Sequence, residues 1–438
     1  MSSSVPRVVI TGMGVVCPLG NTKQAAWEAL VQGRSGVEPL RFGPADDLPV
    51  RFGGEARQFT GEIDDFGPLD KEQKKAIRKG LKVMCRECQM GVAAAQGALS
   101  DAALKPGALD PERTGISFGA DYMLSIPEEF AAGVVQCLDA EGKFQFSRWG
   151  GEGMTKMSPL WLLKYLPNMP ASHLAIYNDF RGPNNSLTMR EAAANAAVGE
   201  AFQIILRGSA DTMLVGATGT RLHLMKMVHT VQQEEVFLGD GDPAAASRPF
   251  DRDRQGMVLG EGAGAIVLER LDYAQARGAT IYGELLSAAT SSVAGPRLVA
   301  ERGRAMRNVL QAVLQGAGVN ADDVGHLHAH GLSTHTCDAE EAGAIGEVFA
   351  SRRTPLPVTA AKSYFGNLGA GSGMVELITS LLALQHDHLF PILNYGTADP
   401  DCPVAAVRNG DGRPGASFIN LSVTPQGQAS AALIRRFE

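Results

Sequence analysis

Arg248-Pro249-Phe250-Asp251-Arg252-Asp253-Arg254-Gln255-Gly256-Met257-Val258-Leu259-Gly260-Glu261-Gly262-Ala263-Gly264 runs straight into the apolar stretch Ala265-Ile266-Val267-Leu268, and after Arg248 the pattern of the chain starts again. Ala265–Leu268 and Ile281–Leu286 read as strands on either side of a short helix, Leu271–Arg277. A longer helix over Ala300–Gln315, a strand at His326–Ala329 and a helical run through Thr379–Leu384 follow. Upstream, Val8-Val9-Ile10 reads as a buried strand entering a turn at Thr11-Gly12-Met13-Gly14. Helical periodicity then covers Gln24–Gln32, Lys71–Leu99 and Glu191–Arg207, the last stopped by Gly208 ahead of the strand Thr212–Gly216. Two successive α/β halves predict two sheets with helices between and outside them. The halves are placed at residues 1–255 and 256–438, although no internal repetition is legible. The irregular, Met-, Trp- and Pro-rich stretch over residues 122–178 suits a subdomain capping a site.

At 438 residues the chain exceeds what a single core usually supports. Its 45% hydrophobic and 20% charged content, with 51 glycines, describes a compact chain with many tight turns. A net charge of −7 does not favour nucleic acid or an anionic membrane. No run reaches the roughly 18 apolar residues of a membrane helix, so no membrane span and a cytoplasmic location are expected. Six cysteines fall short of a disulfide framework. Thr11-Gly12-Met13-Gly14 lacks the third glycine of a dinucleotide loop, because Cys17 stands there.

Several blocks, in order and over nearly the whole chain, resemble the elongating β-ketoacyl-[acyl-carrier-protein] synthases. Residues 248–264 are the longest match. Arg181-Gly182-Pro183-Asn184-Asn185-Ser186-Leu187-Thr188-Met189-Arg190-Glu191 is similar to the family's nucleophile turn, His330-Gly331-Leu332-Ser333-Thr334 with Asp338 and Glu341 to its first-histidine motif, and Lys362-Ser363-Tyr364-Phe365-Gly366-Asn367 to its Lys-Ser-x-x-Gly-His block. The resemblance implies a thiolase-like duplicated α/β fold, two five-stranded halves layered α-β-α-β-α, usually dimeric. It also implies fatty acid or polyketide synthesis on malonyl- or acyl-carrier-protein (or acyl-coenzyme A) thioesters, with no cofactor and no metal.

Three positions depart from the family. Glu191 stands where the acyl-accepting cysteine belongs, Asn367 replaces the second histidine, and Asn420-Leu421-Ser422-Val423-Thr424-Pro425-Gln426-Gly427-Gln428 replaces a glycine loop whose gating phenylalanine also supplies an oxyanion-hole amide. Thr424 takes a supporting place in that altered loop, and Pro425 stiffens it. A thiolate at a helix N-terminus is nucleophilic and leaves well, whereas a carboxylate attacks poorly and would form a mixed anhydride. Glu191 at that terminus is favoured as an anion; it would repel a malonate carboxylate unless protonated or salt-bridged, with Arg190 the adjacent candidate. His330 can donate a neutral imidazole N–H to a thioester carbonyl, Asn367 a second neutral N–H, and Lys362 positions them with Glu341 as counter-charge.

The leading expectation is therefore an acyltransferase-family enzyme that decarboxylates malonyl groups without a durable acyl-enzyme. The rival is a non-catalytic partner of the chain-length-factor kind, paired with a cysteine-bearing synthase; a third reading makes Glu191 a general base. His326, His328 and His330 share one strand face but lack a supporting carboxylate or thiol for zinc. Cys85-x-x-Cys88 is a single pair within a charged helix, so no metal or redox role is expected there. Lys71, Lys74, Lys75, Arg78, Lys79, Lys82 and Arg86 form a basic helix face, either a solvated surface or a dock for an acidic carrier protein. The assembly expected is a homodimer, or a heterodimer with the cysteine-bearing sister.

Overall fold

The computed structural model describes residues 6–41, 48–105, 107–408, 410 and 412–438. Its principal strands, in chain order, are β1 (Val8–Val16), β2 (Thr114–Ala120), β3 (Asn184–Thr188), β4 (Thr212–Thr220), β5 (Leu259–Arg270), β6 (Gly283–Ser292), β7 (His326–His328), β8 (Pro357–Thr359), β9 (Ser417–Val423) and β10 (Gln428–Arg435). The first five lie in the order β3-β2-β4-β5-β1 and the last five in the order β8-β7-β9-β10-β6. Directions repeat as well. β3, β2 and β4 are mutually parallel, as are β8, β7 and β9, and the remaining pairings in each set are antiparallel. The duplication is thus carried by topology. Val8–Ile10 of β1 pair with Gly283–Leu285 of β6 and join the two sets by hydrogen bonds.

The helices used below are α1 (Lys71–Gly80), α2 (Arg86–Asp101), α3 (Pro127–Gln136), α4 (Met169–Asn178), α5 (Ala193–Leu206), α6 (Arg302–Ala317), α7 (His335–Val348) and α8 (Ser372–His386). α5 follows β3 and α8 follows β8, equivalent places in the two sets. They pack on each other between the sets, α5 touching β2, β4, β6 and β10, and α8 touching β4, β5 and β9. A helix in that place must be apolar around its circumference, and every residue of α8 from Ser372 to Leu384 is buried. α2 covers the outer face of β1, β5 and β4, α6 that of β6, β10 and β9 with α7 upon it. Helix, sheet, helix, sheet and helix layers result.

Three expectations change. The strand at Ala265–Leu268 does not open the second half: β5 lies between β1 and β4 and completes the first set. Thr11-Gly12-Met13-Gly14 is not a turn, because β1 runs on to Val16 with only a register shift between Ile10 and Gly12. Those glycines admit α2. A Cβ at Gly12 would lie 2.3 Å from the Ala98 carbonyl oxygen, and one at Gly14 2.0 Å from that of Ala94. Finally, the helix expected over Lys71–Leu99 is broken by a 3-10 turn at Leu81–Val83 and an extended Met84 into α1 and α2.

The segment over residues 122–178 contains α3, α4 and short turns held by an aromatic group, Phe130 stacking on Trp149 and meeting Trp161 edge-on. Its outer side leaves large apolar side chains in solvent, among them Val135, Phe146, Leu160 and Ile176. Beside it β3 is an edge strand, pairing only with β2 among the described residues. No helix among those residues is long and apolar enough to cross a membrane.

Candidate active site

The chain leaves β3 at Thr188 and reaches Arg190 with φ of 50°, a left-handed backbone that costs a side-chain-bearing residue about 1–2 kcal/mol. That bend, followed by the 3-10 turn Arg190–Ala192, aims Glu191 inward at the head of α5. Glu191 is 1% exposed. Its Oε1 accepts from Arg221 Nη2 and, at 3.1 Å, from Asn367 Nδ2, while Oε2 lies 3.4 Å from Arg190 Nε. Arg221, wholly buried just past β4, also lies 3.6 Å from Asp121 Oδ2 at the end of β2. Arg190 Nη2 donates to Glu234 at 2.6 Å. Burial alone would raise the pKa of Glu191, but the charges of Arg190 and Arg221, with the Asn367 hydrogen bond, outweigh it and hold the carboxyl well below its usual range. The group is an anion: Oε1 accepts two N–H bonds, while Oε2 faces Arg190 Nε without a hydrogen bond.

Asn367 stands between β8 and α8. Its Oδ1 accepts from the Gly369 N–H at 3.0 Å and the Ser372 hydroxyl at 3.1 Å. Those two donors fix the amide's orientation, so Nδ2 must face Glu191 Oε1 and Met257 Sδ, the latter at 3.0 Å. The second neutral donor expected at Asn367 is therefore spent on Glu191.

His330 follows β7 and is held through its backbone. Its N–H and that of Gly331 donate to Glu341 Oε1 and Oε2 at 2.6 and 2.8 Å. Asp338 accepts from Leu332, Ser333 and Phe250 in the same way, at 3.0, 3.1 and 2.8 Å. Burial pushes Asp338 up to about 6 and Glu341 up to about 8. Glu341 is thus a loop anchor, not the counter-charge of Lys362: Lys362 pairs with Glu376 of α8. Lys362 Nζ also donates to the His330 carbonyl at 2.8 Å and lies 3.3 Å from His330 Nδ1. An ammonium there requires an unprotonated Nδ1, which leaves the ring proton on Nε2. Burial, and then Lys362, press the His330 pKa well below the usual imidazole value, so the ring is neutral.

The other expected positions separate from this centre. Thr424 closes a hairpin between β9 and β10: its N–H donates to the Gln428 carbonyl at 2.8 Å, and its carbonyl accepts from Gly427 at 3.1 Å. The amide at that position is consumed by the turn and is not available to an oxyanion. His326 bonds the Pro414 carbonyl and Ser380, and His328 bonds Ser380 and the Ala361 N–H, so these rings are structural. On α1, a capping box of Asp70 and Gln73 starts the helix; Lys71, Lys75, Arg78 and Lys79 are exposed, and Lys74 is half-buried 3.9 Å from Asp64. Arg86 leaves that basic face to pair with Glu261.

Arg221, Asp121 and Glu376 were not among the expected site residues. Glu376 had a signal, as the one acid inside the uncharged run Ser372–Leu384. Arg221 is a lone cation directly after an apolar strand, but nothing in its spacing ties it to Glu191.

The sequence and the fold find counterparts. Residues 6–274 match the model of the β-ketoacyl synthase N-terminal domain, and residues 282–396 that of its C-terminal domain. A 3-oxoacyl-[acyl-carrier-protein] synthase 2 of Synechocystis sp. is 32% identical over 397 residues, covering 90% of this chain and 89% of the relative. Among solved structures, a β-ketoacyl synthase from Burkholderia phymatum superposes with a TM-score of 0.84 at 24% identity, over 99% of this chain and 100% of the other. The ishigamide ketosynthase/chain length factor gives a TM-score of 0.83 at 25% identity with the same coverage.

Proposed function

Since this chain belongs to the β-ketoacyl synthase family, we propose that it is a non-condensing member of fatty acid or polyketide synthesis, the partner subunit of a cysteine-bearing synthase acting on carrier-protein-bound acyl chains. The observation carrying this reading is the Glu191 carboxylate clamped by Arg221 and Asn367 in the place of the acyl acceptor. A nucleophile must offer a free electron pair, and a base must bind protons near neutrality. Glu191 suits neither role: Oε1 is held by two N–H donors, Oε2 faces the Arg190 guanidinium, and these cations hold the carboxyl ionised well below neutrality. An external malonyl or acyl group would have to displace it from Asn367, while the Thr424 amide is closed within its hairpin.

Features of the surface support this assembly. β3 exposes an unpaired strand edge beside the apolar outer side of residues 122–178, a combination that suits the two-fold or pseudo-two-fold joining of sheets. The exposed lysines of α1 suit an acidic carrier protein approaching either subunit. Co-expression with a cysteine-bearing paralogue from the same source tests the proposal. Co-elution of the two chains at one-to-one, with condensation lost when the paralogue's cysteine is removed, is the expected result. A homodimer that ignores the paralogue would reject it.

Malonyl decarboxylation is the second reading, favoured by one feature: neutral His330 with its proton on Nε2, a donor for a thioester enolate. It requires acetyl-carrier to form from malonyl-carrier and to cease in His330→Ala.

A further inference from the structure

Away from Glu191, the sulfur atoms of Cys85, Cys88 and Met123 form a nearly equilateral triangle, with Cys85 Sγ 3.6 Å from Cys88 Sγ and both 3.7 Å from Met123 Sδ. Cys85 is the extended N-cap residue of α2 and Cys88 lies in its first turn, which brings the two sulfurs together. Met123 arrives from the far side of β2, 35 residues beyond Cys88. No spacing in the sequence announces that third sulfur.

A point equidistant from three atoms at these separations lies about 2.1 Å from each, and an outward relaxation of about 0.2 Å reaches the metal–sulfur bond length of about 2.3 Å. We propose that Cys85, Cys88 and Met123 form a three-coordinate sulfur site for one soft monovalent cation, Cu(I). The donor set decides the ion. A thioether is neutral and polarizable, which suits Cu(I) and is a poor ligand for magnesium or calcium, while zinc seeks four N, S or O ligands. The Lys164 carbonyl oxygen lies 3.8 Å from Cys88 Sγ, too remote to serve as a fourth ligand at the triangle's centre without moving.

Cys88 and Met123 are buried among Met84, Phe118 and Tyr165, and Cys85 is half-buried, leaving a way in. On binding, the two thiols release their protons to solvent, two thiolate bonds and one thioether bond form to copper, and its oxidation state does not change.

Cu(I) alone, supplied to the full chain without oxygen and challenged with a chromophoric Cu(I) chelator, tests the site. The expected result is one equivalent held per chain, lost in Cys88→Ser and Cys85→Ser, and held at least tenfold more weakly in Met123→Leu, a variant that preserves apolar packing. X-ray absorption should show three sulfurs at about 2.3 Å. Complete stripping of copper from the wild type overturns the proposal. So does equal retention by folded Cys85→Ser, an unchanged Met123→Leu, or a Cys85–Cys88 disulfide as the sole product of copper treatment.

Discussion

A carboxylate at residue 191 brings a negative charge into a place stripped of water, and it persists there because two guanidinium groups and an amide N–H surround it. Removing one member of a buried pair exposes the other to the cost of burial, about 3–5 kcal/mol. Glu191→Gln should therefore lower the unfolding free energy by that amount at pH 7. The pH dependence has a definite sign. Because the folded-state pKa of Glu191 is depressed, its stabilising contribution is complete above the ordinary carboxyl value and is lost as pH falls below it. Denaturant unfolding of wild type and Glu191→Gln should differ most at pH 6–8 and progressively less below about pH 4.5; a difference that stays constant into acid contradicts the ion pair. The structure brings together Glu191 with Asn367 and His330 with Lys362, four positions that the motifs single out. Arg221 was not, since its meaning depends on a contact thirty residues away that only folding creates.

At the scale of elements, glycine was the residue most easily misread. Gly12 and Gly14 carry the same letters as a turn, but β1 passes through them unbroken, and they serve the approach of Ala94 and Ala98 on α2. A pattern along one chain segment cannot distinguish a bend from a crossing. Gly14→Ala should destabilise the protein by about 3 kcal/mol or more, because the clash is with helix backbone. Gly343→Ala, exposed on α7 with nothing within 4 Å of the added carbon, should stabilise by about 0.5–1 kcal/mol. Thermal unfolding of the two variants checks both; equal effects would remove the packing explanation. Apolar spacing continues across the break between α1 and α2, so the segment reads in sequence as one helix.

For the whole molecule, the alternation of strands and helices gave an α/β architecture in two successive parts, but not its exact division. β5 looks like a beginning because the glycine-rich segment before it interrupts the pattern, yet hydrogen bonding places it inside the first set. The repeated strand order is a property of pairings, and divergent side chains conceal it. Two sheets meeting across α5 and α8 put Glu191 at the head of one central helix, Asn367 just ahead of the other and Glu376 within that second helix, so the site lies between the halves. The central claim is that the acceptor position of this scaffold is filled by its own ion-paired carboxylate. Intact mass analysis of this chain and of malonyl- and acyl-loaded carrier protein after incubation together tests it most directly. Unchanged masses for both proteins are the predicted result; an acyl adduct on this chain, or conversion of malonyl- to acetyl-carrier that His330→Ala abolishes, would contradict it.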